Sequence, residues 1–139
     1  MSMSKFFVSE HHAKRARLHW DIRIKKPGEN IWVCFACRKT PPTAAGTKIM
    51  AVRTHDHSTE EALFTGTIES GYGAGELKKW DGGSCEIVKM NLGSHITIDF
   101  KGRKLKGIYH FISTKVLSKG VHDPKAKQET YMFFKGKST

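Results

Sequence analysis

Long apolar segments are missing from this chain. Its 139 residues contain no run that approaches the roughly 20 apolar residues of a membrane-spanning helix. The first residues, Met1 to Phe7, also lack the apolar core of a signal peptide. We therefore expect a cytoplasmic protein that makes no contact with membranes.

Cysteine is scarce, with three residues in the whole chain. An odd number argues against a disulfide framework. Cys34 and Cys37 form a Cys-x-x-Cys, but a structural zinc site needs four ligands and the chain has no second pair. Because the pair lies in an apolar segment, Ile31–Cys37, we expect packed thiols rather than zinc ligands.

Acidic residues are few compared with basic ones. The chain carries 24 Lys and Arg against 13 Asp and Glu, a formal charge of +11, and its isoelectric point is near 9.7. Such an imbalance favours a polyanionic partner, with nucleic acid first among the candidates. The length predicts a single domain, residues 1–139, with a hydrophobic core of its own.

No long amphipathic helical pattern occurs, whereas short strand-like segments are frequent. Their spacing predicts a mainly β fold, a compact antiparallel barrel of about eight to nine short strands with little helix. A barrel is favoured over a sandwich because closure leaves no edge strands to protect. The predicted strands are Lys5–Val8, Leu18–Ile24, Ile31–Cys37, Lys48–Arg53, Glu76–Trp80, Cys85–Met90, His95–Lys101, Gly107–Ser113 and Tyr131–Lys135.

The connections are marked by glycine, proline and polar residues. The sequence predicts a basic loop or single helical turn over Glu10–Arg17, a helical turn over Ser58–Leu63, a tight turn at Asp81-Gly-Gly and a surface loop over Ser118–Gln128. The cluster Gly71-Tyr-Gly-Ala-Gly75 lacks the lysine and hydroxyl of a phosphate-binding loop. It predicts instead a tight bend that brings backbone close to another element.

Potential catalytic chemistry is concentrated in Leu18–Ile24, where apolar and polar residues alternate strictly. On a strand, His19, Asp21 and Arg23 share one face. With His11 and His12 a short loop away, two imidazoles and a carboxylate would suit a divalent metal, and the guanidinium would suit a phosphate. The alternative is that these residues form only the solvated face of an antiparallel sheet.

A second group of polar residues follows in Thr54-His55-Asp56-His57. In an extended segment, His55 and His57 lie on one side and Asp56 on the other. The pattern alone does not distinguish metal ligands from phosphate contacts or a general acid.

Five elements occur in one order: His11–Arg23, Asp56-His57, Gly71–Gly75, Trp80-Asp81-x-Gly83 and Leu105-Lys-Gly107. Together they resemble the 3′-phosphoesterase domain of bacterial DNA ligase D and its free-standing relatives. The resemblance covers the chain from about Phe6 to Lys135.

The resemblance implies a hydrolase of DNA repair that heals 3′ ends of DNA or RNA. Such an enzyme removes a 3′-terminal ribonucleoside and then the 3′ phosphate, which leaves a 3′ hydroxyl. Its cofactor would be a divalent metal, typically Mn²⁺, with Zn²⁺ or Co²⁺ as alternatives. A monomer is expected, with a separate ligase or end-joining proteins as further partners. Two rival functions are an inactive nucleic-acid-binding barrel and a phosphatase for other substrates.

The resemblance also implies roles for individual residues. The metal ligands would be His11, His19 and Asp21. Arg23 and His57 would contact the phosphate and take part in catalysis. Lys39, found by ungapped counting back from His57, and Arg17 would be further basic contacts to nucleic acid.

Three positions depart from the family pattern. The first histidine normally lies six residues before the second, but that position is Ala13 here, so the ligand is His11 or His12. We favour His11, which places an insertion after Ala13. A tyrosine expected four residues after His57 is Glu61, and an arginine expected before the Asp-His segment is Ile49, adjoining Lys48.

Overall fold

A computed structural model describes residues 2–71, 73–119 and 127–137. These residues form nine strands and one short helix, α1, over Thr59–Ala62. The strands are β1 (Ser2–Ala13), β2 (Arg17–Lys25), β3 (Trp32–Cys37), β4 (Lys48–Arg53), β5 (Gly66–Ile68), β6 (Gly75–Asn91), β7 (His95–Lys101), β8 (Lys106–Lys119) and β9 (Lys127–Lys135).

Eight of the nine strands close into an antiparallel barrel. The order around the ring is β1-β2-β3-β4-β9-β8-β7-β6, and pairing between β1 and β6 closes it. The short strand β5 pairs with β6 outside the ring. The predicted mainly β antiparallel barrel is therefore confirmed, with β5 as an additional strand.

The hydrophobic core fills the barrel. Strand β2 contributes Trp20, Ile22 and Ile24 from its apolar face, and all are buried. Three aromatic rings from β3, β8 and β9 stack across the interior, with 4.3 Å between the ring centroids of Phe35 and Phe111 and of Phe111 and Phe133. Because the alternating apolar residues point inward, the polar residues of β2 must lie on the outside of the barrel.

Strand β1 is longer than the sequence predicts. We predicted a loop or helical turn over Glu10–Arg17, but Glu10–Ala13 continues the strand, and only residues 14–16 form the turn to β2. The prediction was wrong because β1 has a partner on each side, β2 and β6, along most of its length. Backbone hydrogen bonds to two neighbours outweigh the weak local preference of this basic segment.

Strand β6 is also continuous, which corrects a second prediction. Glu76–Trp80 and Cys85–Met90 belong to one strand, and Asp81-Gly-Gly is not a turn. The pairing shifts register here, between Val8 and Ser9 of β1. The buried Asp81 carboxylate accepts backbone N–H hydrogen bonds from Arg103, Lys104 and Leu105 at 2.7–3.1 Å. Asp81 thus anchors the β7–β8 turn rather than reversing the chain.

Other predicted connections are found in the structure. Helix α1 begins after Ser58, whose hydroxyl caps it in a capping box with Glu61. The predicted loop over Ser118–Gln128 is shorter at both ends, because β8 reaches Lys119 and β9 starts at Lys127. The rest of that prediction lies outside the described residues.

The three cysteines are buried and unpaired to one another. Cys37 lies in the barrel core, whereas Cys34 packs outside the barrel with Phe7, Trp32 and Ala62. Positions three apart on a strand point to opposite faces, so this pair cannot share one metal ion. In the part of the chain that the structure describes, no helix is long and apolar enough to cross a membrane.

Candidate metal and phosphate site

The polar face of β2 lies outside the barrel but is not solvated. His19, Asp21 and Arg23 are 0%, 2% and 6% exposed. The segment 54–68 packs beside this face, since the Ala62 carbonyl accepts a hydrogen bond from Arg23, and His57 exchanges two backbone hydrogen bonds with Trp32 of β3. Buried charged groups need compensating partners. The alternative of a merely solvated sheet face is therefore wrong.

His11, His19 and Asp21 converge on one point. The register of β1 and β2 sets His11 opposite His19 and Ser9 opposite Asp21. His11 Nδ1 lies 3.1 Å from His19 Nε2 and 3.5 Å from Asp21 Oδ2, and His19 Nε2 lies 3.4 Å from Asp21 Oδ1. One ligand atom from each of the three residues falls within 4.8 Å of the others.

The outer nitrogen of each imidazole contacts a backbone carbonyl. His11 Nε2 lies 2.8 Å from the Gly73 oxygen, and His19 Nδ1 lies 3.0 Å from the Arg17 oxygen. A carbonyl only accepts, so each of these outer nitrogens donates, and the inner nitrogen of a neutral ring would direct its lone pair toward Asp21. Two imidazole lone pairs and a carboxylate, held from behind by hydrogen bonds, fit a divalent cation such as Mn²⁺, Zn²⁺ or Co²⁺.

Of the two adjacent histidines, the structure brings His11 to this group. His12 points the other way, with a half-exposed side chain whose Nε2 lies 2.7 Å from Glu10 Oε2. The extra residue is accommodated in the turn over residues 14–16, after Ala13. The geometry agrees with the favoured placement of the insertion, and metal binding by His11 stays a prediction.

Arg23 is held rigidly beside the three converging residues. Its Nη1 donates to Ser9 Oγ at 2.8 Å and to the Ala62 carbonyl at 3.0 Å, and its Nη2 lies 3.5 Å from Asp21 Oδ2. Among the described residues, Arg23 Nε has no hydrogen-bond partner. A fixed guanidinium with a free donor suits an anionic oxygen.

His57 is placed by backbone and side-chain contacts. Its Nδ1 lies 3.1 Å from the Cys34 sulfur, and its ring stacks on His55 with 4.5 Å between centroids. Burial lowers the pKa of His57 below its ordinary value of 6.5, and the positive charge of Arg23 lowers the pKa further. The neutral imidazole is therefore the main form at neutral pH.

A cavity of about 470 Å³ joins these groups. Its volume is in the range of small-ligand pockets. Its lining combines apolar residues with polar ones; the apolar residues are Phe64, Ile68 and Leu77, and the polar residues are His11, Asp21, Arg23, His55, His57, Glu60 and Glu61. The cavity thus offers basic groups that suit a phosphate and apolar groups that suit an organic substituent.

Two predicted basic contacts lie away from this cavity. Lys39, in the loop after β3, and Arg17, at the start of β2, are exposed, and neither lines the cavity. Arg17 instead supplies the carbonyl that binds His19, in a left-handed conformation with φ of +64°. Their contacts to nucleic acid stay predictions.

The fold accounts for Ile49 and Glu61, the two residues on and after β4 that depart from the family pattern. Ile49 is buried in the barrel core, and the Lys48 ammonium lies 4.9 Å from the Phe134 ring centre. Glu61 lines the cavity, but its carboxylate accepts hydrogen bonds from the Ser58 backbone at 3.0 Å and hydroxyl at 3.3 Å. The Ser58 backbone hydrogen bond is the main cause that lowers the pKa of Glu61. The helix N-cap, Ser58, thus stabilises the negative charge of the Glu61 carboxylate at the cavity wall.

The chain matches a known family over most of its length. The model of the DNA ligase D 3′-phosphoesterase domain matches residues 9–113, a range that includes every residue of the site described above. The chain belongs to this family.

Relatives of this phosphoesterase domain occur within larger proteins. The chain is 38% identical over 122 residues to the multifunctional non-homologous end joining protein LigD of Mycolicibacterium smegmatis, which covers 80% of this chain and 16% of that protein. It is 34% identical over 113 residues to the LigD of Mycobacterium tuberculosis, and this match covers 78% of this chain and 14% of that protein. It is 33% identical over 121 residues to the LigD of Pseudomonas aeruginosa, and this match covers 83% of this chain and 14% of that protein. The chain thus spans about one seventh of the length of these relatives.

Sequence reasoning missed several residues of this candidate site. Ser9, which binds Arg23, lies two positions before His11 on the same face of β1. Extending the alternation of the first strand past Val8 would have found it. Gly73, Cys34 and Phe64 come from other elements, and no local pattern signals their contacts.

Proposed function

We propose that this chain is a metal-dependent phosphoesterase that heals 3′ ends of DNA or RNA in end-joining repair. It removes a 3′-terminal ribonucleoside, a 3′ phosphate or both, and leaves a 3′ hydroxyl. Membership of the phosphoesterase family supports hydrolysis of a phosphate ester, and the end-joining names of the relatives support repair. The observation that carries the proposal is the convergence of His11, His19 and Asp21 beside Arg23.

The three converging residues would hold the cation. His11, His19 and Asp21 provide three protein ligands, which leaves positions for water and for a phosphate oxygen. When bound, a divalent cation such as Mn²⁺ would supply Lewis acidity, which withdraws electron density through a phosphate oxygen and makes the phosphorus more electrophilic. The Gly73 and Arg17 carbonyls would orient the two ligand rings so that their inner nitrogens face the cation.

Arg23 and His57 would bind the phosphate beside the metal ligands. Both residues line the same cavity. Arg23 is fixed by Ser9 and Ala62, so its donors need little reorganisation as charge develops on the phosphoryl oxygens.

The sequence left two roles open for His57, general acid and phosphate contact, and its lowered pKa favours the second. A general acid that protonates the departing 3′ oxygen needs the imidazolium form. Burial disfavours that form, so little of it exists at neutral pH. A neutral ring still donates one N–H, so His57 acts here as a hydrogen-bond donor to the phosphate.

The basic surface would hold the rest of the strand. With a formal charge of +11, exposed residues such as Lys39 and Arg17 bind the phosphate backbone without reading sequence. The chain would act as a monomer and hand its product to a separate ligase or other end-joining proteins.

A 3′-end assay tests the proposal. A 5′-labelled oligonucleotide with a 3′ phosphate, and a second one with a single 3′ ribonucleotide, are incubated with Mn²⁺ or with EDTA. We expect both oligonucleotides to be converted to a 3′ hydroxyl in Mn²⁺ and neither to be converted in EDTA. Binding of both oligonucleotides without conversion would indicate an inactive binding barrel. Faster hydrolysis of a small phosphomonoester than of the oligonucleotide would indicate a phosphatase for other substrates.

A further inference from the structure

We propose that Cys34 is a positioning residue whose thiol donates a hydrogen bond to His57 Nδ1 and so keeps the His57 proton on Nε2, toward the phosphate cavity. This inference rests on the proposed function for its catalytic consequence, but its structural part can be tested without any turnover. It gives one cysteine of the Cys-x-x-Cys a specific task.

The geometry places the thiol directly behind the imidazole. Cys34 lies on the outer face of β3, in register with Arg23 of β2. Its sulfur is 3.1 Å from His57 Nδ1. The two backbone hydrogen bonds between His57 and Trp32, at 2.8 and 3.0 Å, hold the imidazole against this part of the strand. With Nδ1 engaged by the thiol, Nε2 is the ring nitrogen left for the cavity that His57 lines.

The direction of the hydrogen bond follows from the protonation of both groups. Burial raises the pKa of the Cys34 thiol to about 12, so the sulfur keeps its proton at working pH. Burial lowers the pKa of His57, so its ring is neutral and has one nitrogen free to accept. A sulfur is a weak acceptor, whereas a neutral imidazole nitrogen is a good one. The thiol therefore donates to Nδ1.

One other acceptor competes for the thiol proton. The Trp32 carbonyl lies 3.4 Å from the Cys34 sulfur. That carbonyl already accepts the backbone N–H of His57 at 3.0 Å, and it is farther from the sulfur than Nδ1 is. The imidazole is thus the preferred partner.

As a consequence, His57 Nε2–H is a fixed hydrogen-bond donor for the phosphate, in the cavity that Arg23 also lines. If the proton sat on Nδ1, the Nε2 lone pair would face the anionic phosphate and repel it. Cys34 is 1% exposed and its thiol is not ionised at working pH, so it does not act as a nucleophile itself. Its effect runs through His57.

The test measures the His57 tautomer directly in the full chain. Imidazole ¹⁵N shifts are recorded at pH 7.5 without metal, and His57 is assigned by comparison with a His57→Gln variant. We expect a protonated Nε2 and an unprotonated, hydrogen-bonded Nδ1 in the wild type. In Cys34→Ala the Nδ1 shift should move toward that of a free acceptor, and Cys34→Ser, which keeps a donor, should restore most of the wild-type value.

Turnover gives the second readout. We expect Cys34→Ala to lower kcat for 3′-phosphate release about fivefold, the size of one hydrogen bond of roughly 1 kcal/mol, with Cys34→Ser closer to wild type. Cys85→Ala, which removes a buried thiol elsewhere in the barrel, is the matched control and should leave the His57 shifts unchanged. Cys34→Val replaces Cys34→Ala if the alanine variant does not fold.

The outcomes separate this inference from the proposed function. A wild-type His57 with its proton on Nδ1, or His57 shifts that do not change in Cys34→Ala, would overturn the role of Cys34 even in an active enzyme. If the wild type releases no phosphate, the proposed function fails while the tautomer measurement still decides the hydrogen bond.

Discussion

Replacing His11 and His12 separately gives a sharp test of the metal site, because the two neighbours differ in environment but not in chemistry. His11 is 2% exposed and lies 3.1 Å from His19 Nε2 and 3.5 Å from Asp21 Oδ2. The His12 side chain is 46% exposed and contacts Glu10. His12→Ala is therefore the matched control for His11→Ala.

The expected loss for His11→Ala can be bounded from its contacts. Removing a hydrogen-bond partner behind a metal ligand typically lowers metal affinity roughly 10- to 100-fold. Removing the ligand itself, together with its anchor to the Gly73 carbonyl, should weaken Mn²⁺ binding by more than about 100-fold, or about 2.8 kcal/mol. His12→Ala removes only a surface contact and should change Mn²⁺ affinity by less than about twofold.

The assay combines calorimetric titration with Mn²⁺ and turnover measured over a range of Mn²⁺ concentrations. His11→Ala should bind Mn²⁺ weakly, and high Mn²⁺ should restore only part of its activity. Equal losses in the two variants would mean that both histidines share the site. The reverse order would mean that the ligand set is His12, His19 and Asp21, against the geometry described here.

Three further predictions follow from charge, titration and backbone geometry. Affinity for single-stranded DNA without metal should fall with salt with a logarithmic slope of about −0.7 per phosphate contact, and an affinity that does not change with salt would contradict a nucleic-acid role for the +11 charge. Burial lowers the pKa of His57, His95 and His110, so the unfolded state binds more protons below about pH 6.5. The stability that these residues confer is present above that pH and is lost as pH falls, so the melting temperature in EDTA should be lower at about pH 5.5 than at about pH 7.5. The difference between the two melting temperatures should be smaller in a His95→Gln/His110→Gln variant. A difference of the same size in that variant would refute this cause. Gly75→Ala should cost about 1 kcal/mol or more in chemical denaturation, because Gly75 has a φ of +147° and a Cβ there would lie 2.1 Å from the His12 carbonyl oxygen; wild-type stability would show that the bend relaxes freely.

The sequence predicts those features whose cause is local. Alternation in Leu18–Ile24 identified the strand and the shared face of His19, Asp21 and Arg23, although Leu18, on the apolar face, is exposed. The glycine cluster before β6 was predicted to be a close approach of backbone, and Gly73 and Gly75 do lie against His11 and His12. The two-residue repeat of side-chain direction explains the first prediction, and the small size of glycine explains the second.

Features that depend on distant partners were not predictable in this way. The polar face of β2 has the pattern of a solvated face, but it is buried beside His11 of β1 and the segment over residues 54–68, which are distant in the sequence. The hydrogen bond between Cys34 and His57 joins residues 23 apart in the chain. The unbroken path of β6 past Asp81 depends on its pairing with β1 and on the turn at Leu105. Register and closure of the barrel set these contacts, and local composition does not encode them.

The central claim is that His11, His19 and Asp21 form the centre of a metal-dependent 3′ phosphoesterase. The most direct test compares wild type with Asp21→Asn, which keeps the shape of the side chain and removes its charge. Release of the 3′ phosphate from a 5′-labelled oligonucleotide is followed while Mn²⁺ is titrated. We predict turnover that depends on Mn²⁺ in the wild type and a loss of more than about 100-fold in Asp21→Asn, with both proteins folded and binding DNA. Release of phosphate in EDTA by the wild type, or near-normal turnover by Asp21→Asn at limiting Mn²⁺, would contradict the account.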